Sequence, residues 1–378
     1  MTGNAALVEA TVTVSLRFSR GADTSDPSAK KIAGSLSAVV QSGRCLWVCS
    51  DQTASVERLT ADDPDRPGAY GEHRSYRLAE FVTLPQGDDT EVDLEGIDLQ
   101  WLGPRTGFLW LVGSHSGARK QVKDDDPDEE GVQALRGIAL DRNRCVLLRI
   151  PITVDGDGLG QLVSTCPDPA DAGRTLAAGV LNDLLDVLAD DPHLKPFRGI
   201  PGKDNGLDVE GLAIAGERVY LGLRGPVLRG WAVVLEVCVD TAGTAATGEV
   251  LRLRRWPDGD LVRKHFLDLG GLGVRELGVD GDDLLVLAGP TMVLDGPVRL
   301  LRWVGGASDD APRLVRDDTA ALRPVYELAY GVGVDQAEGS TRLRVADTSS
   351  LLMVYDSPSD QRRPAAPGSV LADVLPWP

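Results

Sequence analysis

Hydrophobic and polar positions alternate most regularly between residues 7 and 18, where Val8, Ala10, Val12, Val14, Leu16 and Phe18 share one face and Glu9, Thr11, Thr13, Ser15 and Arg17 the other. Period-two alternation of this kind predicts a half-buried strand. A second pattern recurs along the chain. Val209, Leu212 and Ile214 are followed by Gly216-Glu217-Arg218 and then by the apolar run Val219-Tyr220-Leu221-Gly222-Leu223, which reads as two strands joined by a tight connection. Comparable units begin near Gly34, Val92, Gly273 and Gln336. A lone hairpin cannot bury its apolar face, so five copies predict radially repeated sheets.

Strand candidates at 36–40, 45–49, 55–59 and 76–84 make one four-stranded blade. The interval from Glu95 to Glu210 is close to twice the other repeat intervals and on spacing alone would allow a sixth blade, with Arg136-Gly137-Ile138-Ala139-Leu140 as a degenerate copy. Counting strands favours five blades with insertions in the second. The expected fold is therefore all-β, a single β-propeller domain over 1–378 with five blades and six as the alternative. The N-terminal strand closes the last blade and removes an exposed edge. Additions are an acidic loop at 116–131, a helical insertion at 171–196 and a surface tail at 357–378. The helix is expected near 174–191, because Leu176, Val180, Leu184 and Leu188, flanked by Leu181 and Leu185, form a stripe of helical period. Asp190-Asp191-Pro192 ends it.

Composition and the distribution of residue types change the picture at four points. The 57 Asp and Glu against 39 Lys and Arg give a formal charge of -18, which disfavours nucleic acid as a partner. No apolar run reaches membrane-spanning length. Residues 1–10 lack a basic start, and Glu9 interrupts their apolar run, so no signal peptide is expected and the location is read as cytoplasmic. Five cysteines fit that compartment better than a disulfide framework. Cys45 and Cys49, about 13 Å apart at strand rise, are too distant to bridge.

Candidate chemistry falls in two places. Glu95, Glu210 and Glu338 each precede a glycine at the start of the strand that would line the central axis. Three carboxylates converging there would repel one another, and a hard cation, Ca2+ above all, would relieve the repulsion. Capping of backbone N–H groups, or pairing with an arginine of the neighbouring blade, would do the same without metal. The second place is the set of loops after each second strand, which in a ring gather at one mouth, as functional loops on a rigid scaffold do. His115, Arg224, Arg229, Arg275 and Asp295, with Lys203 and Asn205 from the loop before the third blade, are the candidate ligand-binding residues. Sharper motifs fail. His115 stands where a nucleophile elbow needs serine, no phosphate-cradling loop occurs, Glu129 stands where an EF-hand needs glycine, and the four histidines lack zinc spacing. No catalytic residue is assigned.

The segments Asp93-Leu94-Glu95-Gly96, 111–116, 203–212, 220–231 and 287–292, with 294–299, resemble the bacterial family of domain of unknown function 3616 (DUF3616) over roughly 34–356, most specifically at 224–231. That resemblance implies a propeller and carries no activity. The Glu-Gly repeats are more distantly similar to esterase-like phytase propellers, which would imply a Ca2+-assisted phosphoester hydrolase. The first blade departs from the pattern, with Gly34-Ser35-Leu36 in place of Glu-Gly-Leu. The favoured function is a binding module that captures a protein segment or small anionic ligand at the loop-lined mouth. The alternative is a Ca2+-dependent phosphoester or ester hydrolase, with Glu95, Glu210 and Glu338 holding the metal and a metal-bound water as nucleophile. Neither nucleic acid nor a membrane is expected as a partner.

Overall fold

The computed structural model describes residues 6–8, 12–18, 27–88, 90–123, 125–171, 173–317, 320–364 and 366–378. Five strands stand nearest the axis: β1 (Leu36–Ser42), β2 (Leu94–Gly103), β3 (Asp208–Ala215), β4 (Gly273–Asp280) and β5 (Gln336–Val345). Each opens an antiparallel group. β1 leads through Cys45–Ser50 and Ser55–Ala61 to Ala69–Arg77, and β3 through Arg218–Gly225 and Trp231–Thr244 to Arg263–Asp268. β2 leads through Thr106–Gly113 and Leu147–Val154 to Gly179–Leu181, and β4 through Asp283–Gly289 and Val298–Trp303 to Leu322–Leu328.

The inner strands pack in a closed order, β1 on β2, β2 on β3, β3 on β4, β4 on β5 and β5 on β1. The chain is thus all-β and propeller-like. Its apolar interior is divided accordingly: among the described residues, five clusters of buried side chains each lie between two adjacent groups. Strand alternation sends one face of each sheet toward each neighbour, so the core sits between sheets rather than on the axis. The cluster between the fourth and fifth groups is the smallest.

The fifth group runs β5, Thr348–Asp356, Ser369–Pro376 and then the N-terminal strand Val12–Arg17, which pairs antiparallel with Ser369–Pro376. The alternation read at 7–18 therefore supplies the outermost strand of the last group within its described part; residues 9–11 lie outside the described residues. Val12–Arg17 also pairs in parallel with Ala69–Arg77, while Ala6–Val8 pairs with Leu322–Leu328. The chain start thereby ties together the fourth, fifth and first groups.

Two expectations are corrected. The tail at 357–378 is not wholly surface: Ser369–Pro376 is an internal strand with Val370, Ala372 and Leu375 buried, its alternation obscured by the Pro- and Ala-rich residues before it. The expected helix over 174–191 is instead two short strands, Thr175–Ala177 and Gly179–Leu181, followed by a single turn at Leu184–Val187 and a 3-10 turn at Leu188–Asp190. Leu176, Ala178 and Val180 alternate as a strand does, and only Leu184, Leu185 and Leu188 keep helical spacing. A side chain at Gly179 would meet Leu251 at 2.8 Å, so the close pairing with Glu249–Arg254 depends on glycine. The acidic segment at 116–131 carries a short helix, Asp128–Ala134. Arg136–Leu140 opens no further group, since Ile138–Ala139 pairs only with Ala118–Arg119. All five cysteines are buried free thiols.

Candidate functional site at the mouth of the ring

The Glu-Gly repeat has a backbone cause. Every inner strand slips register against its second strand at one corresponding residue: Ser37, Glu95, Glu210, Arg275 and Glu338. A bulge inserts one extra residue and re-aims its side chain, here at the level where the inner strands surround the axis. The next residue faces the neighbouring inner strand. A Cβ on Gly96 would stand 2.7 Å from Leu212, on Gly211 2.9 Å from Leu277, and on Gly339 2.7 Å from the Ala38 backbone. Glycine thus lets neighbouring groups approach, and the bulge residue before it turns inward. Only β1, with Ser37-Ala38, and β4, with Arg275-Glu276, depart from the pair.

Arg275 occupies the axis between its ring neighbours. Its Nη1 donates to Glu210 Oε2 at 3.0 Å and to Glu338 Oε1 at 2.9 Å. Arg224, at the end of the second strand of the third group, pairs with Glu210 at 2.7 Å and with Asp208. Burial opposes both guanidinium charges, but Asp208 and Glu210 around Arg224, and Glu210 and Glu338 around Arg275, hold both arginines protonated above their ordinary range. In the second group Arg144 pairs with Asp93 at 3.0 Å and also with Glu91.

Other carboxyls at this level have no such partner. Glu95 makes no hydrogen bond or ion pair among the described residues, and burial, reinforced by Asp93, Glu210, Glu338 and Asp51, pushes its carboxyl well above the usual range. Asp51, from the loop after the second strand of the first group, is pushed up to about 7 by burial and by Asp356 and Asp93. Its Oδ1 is enclosed without a partner. One residue further from the mouth on β4, Glu276 is 2% exposed. Its Oε1 accepts from the Leu277 N–H at 2.9 Å, while Oε2 is enclosed without a partner. Burial raises it well above the carboxylate range, with Asp98 and Glu210 adding to the effect.

The connectors after second strands and before inner strands share one face of the ring. Val209 N–H donates to Ser114 O, Val227 N–H to Asn205 Oδ1 and Gly333 N–H to Asp295 Oδ1. Asn205 and Asp295 thus hold loops in place, while Lys203 and Arg229 are exposed and unpaired among the described residues. His115 is 2% exposed. Its Nδ1 lies 2.8 Å from Gly113 O, which assigns the proton to Nδ1 and leaves the enclosed Nε2 as an unpartnered acceptor. Burial lowers its pKa to about 4, so the ring is neutral at pH 7.

Glu95, Glu210 and Glu338 therefore face one another, together with Arg224 and Arg275. Lys203 exerts its charge on Asp51, whereas His115 is enclosed and Asp295 and Arg229 stand further out. Asp51, Asp93, Arg144, Asp208, Glu276 and Asp356 were missed by sequence reasoning. Asp93 and Asp208 carried a signal, since each stands two residues before a repeated glutamate. Arg144 carried none, because it lies far along the chain from the carboxyls it meets. Among the described residues no three His, Cys, Asp or Glu side chains form a group that could hold a metal ion.

Five bulged strands closing around a charged axis, with one face of connectors over it, define a propeller-like scaffold with a polar mouth. The chain belongs to the family described as protein of unknown function DUF3616, whose model matches residues 35–373. Among curated proteins no sequence match was found. Solved structures with a similar chain path include a GH43 β-1,3-galactosidase with galactodeoxynojirimycin, at 9% identity over 91% of this chain and 90% of that one with a TM-score of 0.39. Others are a putative oxidoreductase (glucose dehydrogenase) from Thermus thermophilus, at 12% identity over 92% and 98% with a TM-score of 0.32, and the C-terminal WD40 domain of Sif2, at 8% over 100% of both with a TM-score of 0.28. Likeness at this level says nothing about what this chain binds or acts on.

Proposed function

We propose that the chain is a five-bladed propeller serving as a binding module, and that it captures a protein segment across the mouth where its connectors gather. The observation that carries this reading is apolar surface displayed on those connectors. Met292 is 40% exposed, Val293 77%, Leu294 57%, Tyr330 47% and Val332 86%, and the Asp295–Gly333 contact holds their two loops together. Val132, Leu135 and Ile138, in the insertion after the second strand of the second group, are also exposed. Clustered exposed apolar side chains rimmed by polar ones mark interaction surfaces. The count of five blades is supported by the closed packing order of β1 to β5.

A small anion has less to hold it. Arg224 and Arg275 already serve carboxylates, which leaves Lys203 and Arg229. A Ca2+-dependent hydrolase would first have to displace Arg275 from Glu210 and Glu338. Panning a random-peptide library against the protein tests the proposal. Selected peptides should compete with one another and weaken by about tenfold or more when Val293→Asp and Tyr330→Asp are introduced, with the melting temperature unchanged. A library that yields no binder, or binders indifferent to both substitutions, would remove the basis for this reading.

A further inference from the structure

The five bulge positions form a ring of unequal members. In order they are Ser37, Glu95, Glu210, Arg275 and Glu338. Arg275 stands between two glutamates and joins both through one guanidinium nitrogen. Ser37 also stands between two glutamates, Glu338 and Glu95, but a serine is too short to bridge them and has no charge. The ring therefore contains one cation where its symmetry places two.

The charges around Ser37 sharpen the contrast. Asp51 and Asp356 end or follow second strands of the first and fifth groups, and both act on the carboxyls at this level. Arg144 is engaged by Glu91 and Asp93, Arg224 by Asp208 and Glu210, and Arg275 by Glu210 and Glu338. Lys203 is the remaining cation acting on Asp51, and it is exposed. Beneath the ring, Glu276 is almost wholly enclosed with its Oε2 unpartnered, and its charge acts on Glu95's neighbour Cys49 together with that of Glu95. Asp51 likewise has an enclosed, unpartnered Oδ1. A buried polar atom without a partner is costly, and two of them beside uncompensated carboxyls suit one more donor-bearing cation.

We propose that the captured segment presents a basic side chain to the axis, and that its ammonium or guanidinium group sits over Ser37, between Glu95 and Glu338 and within reach of Asp51, as Arg275 sits between Glu210 and Glu338. This rests on the binding-module reading and adds the chemistry of the residue recognised. Five or three N–H donors suit a set of carboxylate acceptors. An organic cation differs from a metal in needing no coordination polyhedron, and the described residues form none.

The test uses the whole protein at low ionic strength and four probes: the capped tripeptides Gly-Arg-Gly, Gly-Lys-Gly and Gly-Gln-Gly, and CaCl2. Saturable binding of at least one basic tripeptide is expected, about tenfold or more tighter than the Gln peptide and about tenfold or more weaker in both Glu95→Gln and Asp51→Asn. Should Glu95→Gln fail to fold, Asp51→Asn carries the result. Equal binding of the Gln and basic peptides, no saturable binding, or indifference to both substitutions overturns the proposal. Binding of Ca2+ alone, lost in Glu95→Gln, overturns it in favour of a metal. Library-selected peptides that bind Glu95→Gln as well as the parent would leave the capture function standing while removing the basic side chain from it.

Discussion

Two sides of the same axis solve one electrostatic problem differently. Where the third, fourth and fifth groups meet, Arg224 and Arg275 neutralise Asp208, Glu210 and Glu338 with direct pairs. Burial raises Asp208, to about 6, and Glu338 even against the pull of those arginines; where the first and second groups meet, Glu95 and Asp51 are raised as well and have no paired cation. A crowded carboxyl can be stabilised by an opposite charge or by retaining its proton. The first solution is structural and built in. The second leaves a place that responds to pH and to an external cation.

The contrast can be broken most strongly from the neutralised side. Arg275→Ala leaves Glu210 and Glu338 enclosed without their shared cation, and removing one partner of a buried pair costs about 3–5 kcal/mol. Urea unfolding should show that loss, with Arg275→Lys recovering part of it. Next in size is Gly339→Ala. Its Cβ would meet backbone of β1, at Ala38 Cα 2.7 Å and Ser37 O 2.9 Å, which cannot move aside as a side chain could. A cost of about 1–3 kcal/mol is expected in the same measurement.

A third expectation concerns pH. Asp98 accepts from the Leu99 and Ile214 N–H groups, both at 2.7 Å, and burial, opposed by these two bonds, raises its carboxyl to about 7. The folded chain therefore binds this proton more tightly than the unfolded chain does. Its stabilising contribution is full below about pH 4 and declines as pH rises toward about 7. Asp98→Asn cannot accept both bonds, so it should destabilise most at pH 5 and least at pH 8 in parallel melts. A variant equally destabilised at both values would contradict the raised carboxyl. The smallest effect is expected at Glu95→Gln. It removes a carboxyl that makes no pair, so near pH 4, where that carboxyl keeps its proton, stability should change by no more than about 1 kcal/mol, and the variant should gain on the parent as pH rises. Loss comparable to Arg275→Ala would mean that the two sides do not differ as described.

Much of the scaffold was legible because its signals are local. The hairpin at 208–225, its copies, the alternation at 12–17 and the gathering of second-strand loops follow from side-chain period and turn chemistry within a few residues. The glycine after each repeated glutamate was visible too, although its reason, approach of the adjacent inner strand, was not. At 174–191 two readings of the same leucines competed. Strand pairing with 147–154 and 249–254 prevailed over helical period because those partners lie in sheet edges that the segment itself does not reveal. The strand at 369–376 was masked by the Pro-rich stretch before it.

From the order of residues alone follow a repeated sheet protein, the inner-strand position of Glu95, Glu210 and Glu338, and an acid excess that disfavours polyanions. Which of those glutamates would have a cation was settled by the folded ring. Arg275 lies 65 residues from Glu210 and 63 from Glu338, and nothing short-range connects them. Ring closure brings corresponding bulges together, so each position's chemistry depends on its neighbours around the axis. That is why an arginine in the fourth group neutralises two glutamates, while a serine in the first supplies no charge to the two beside it.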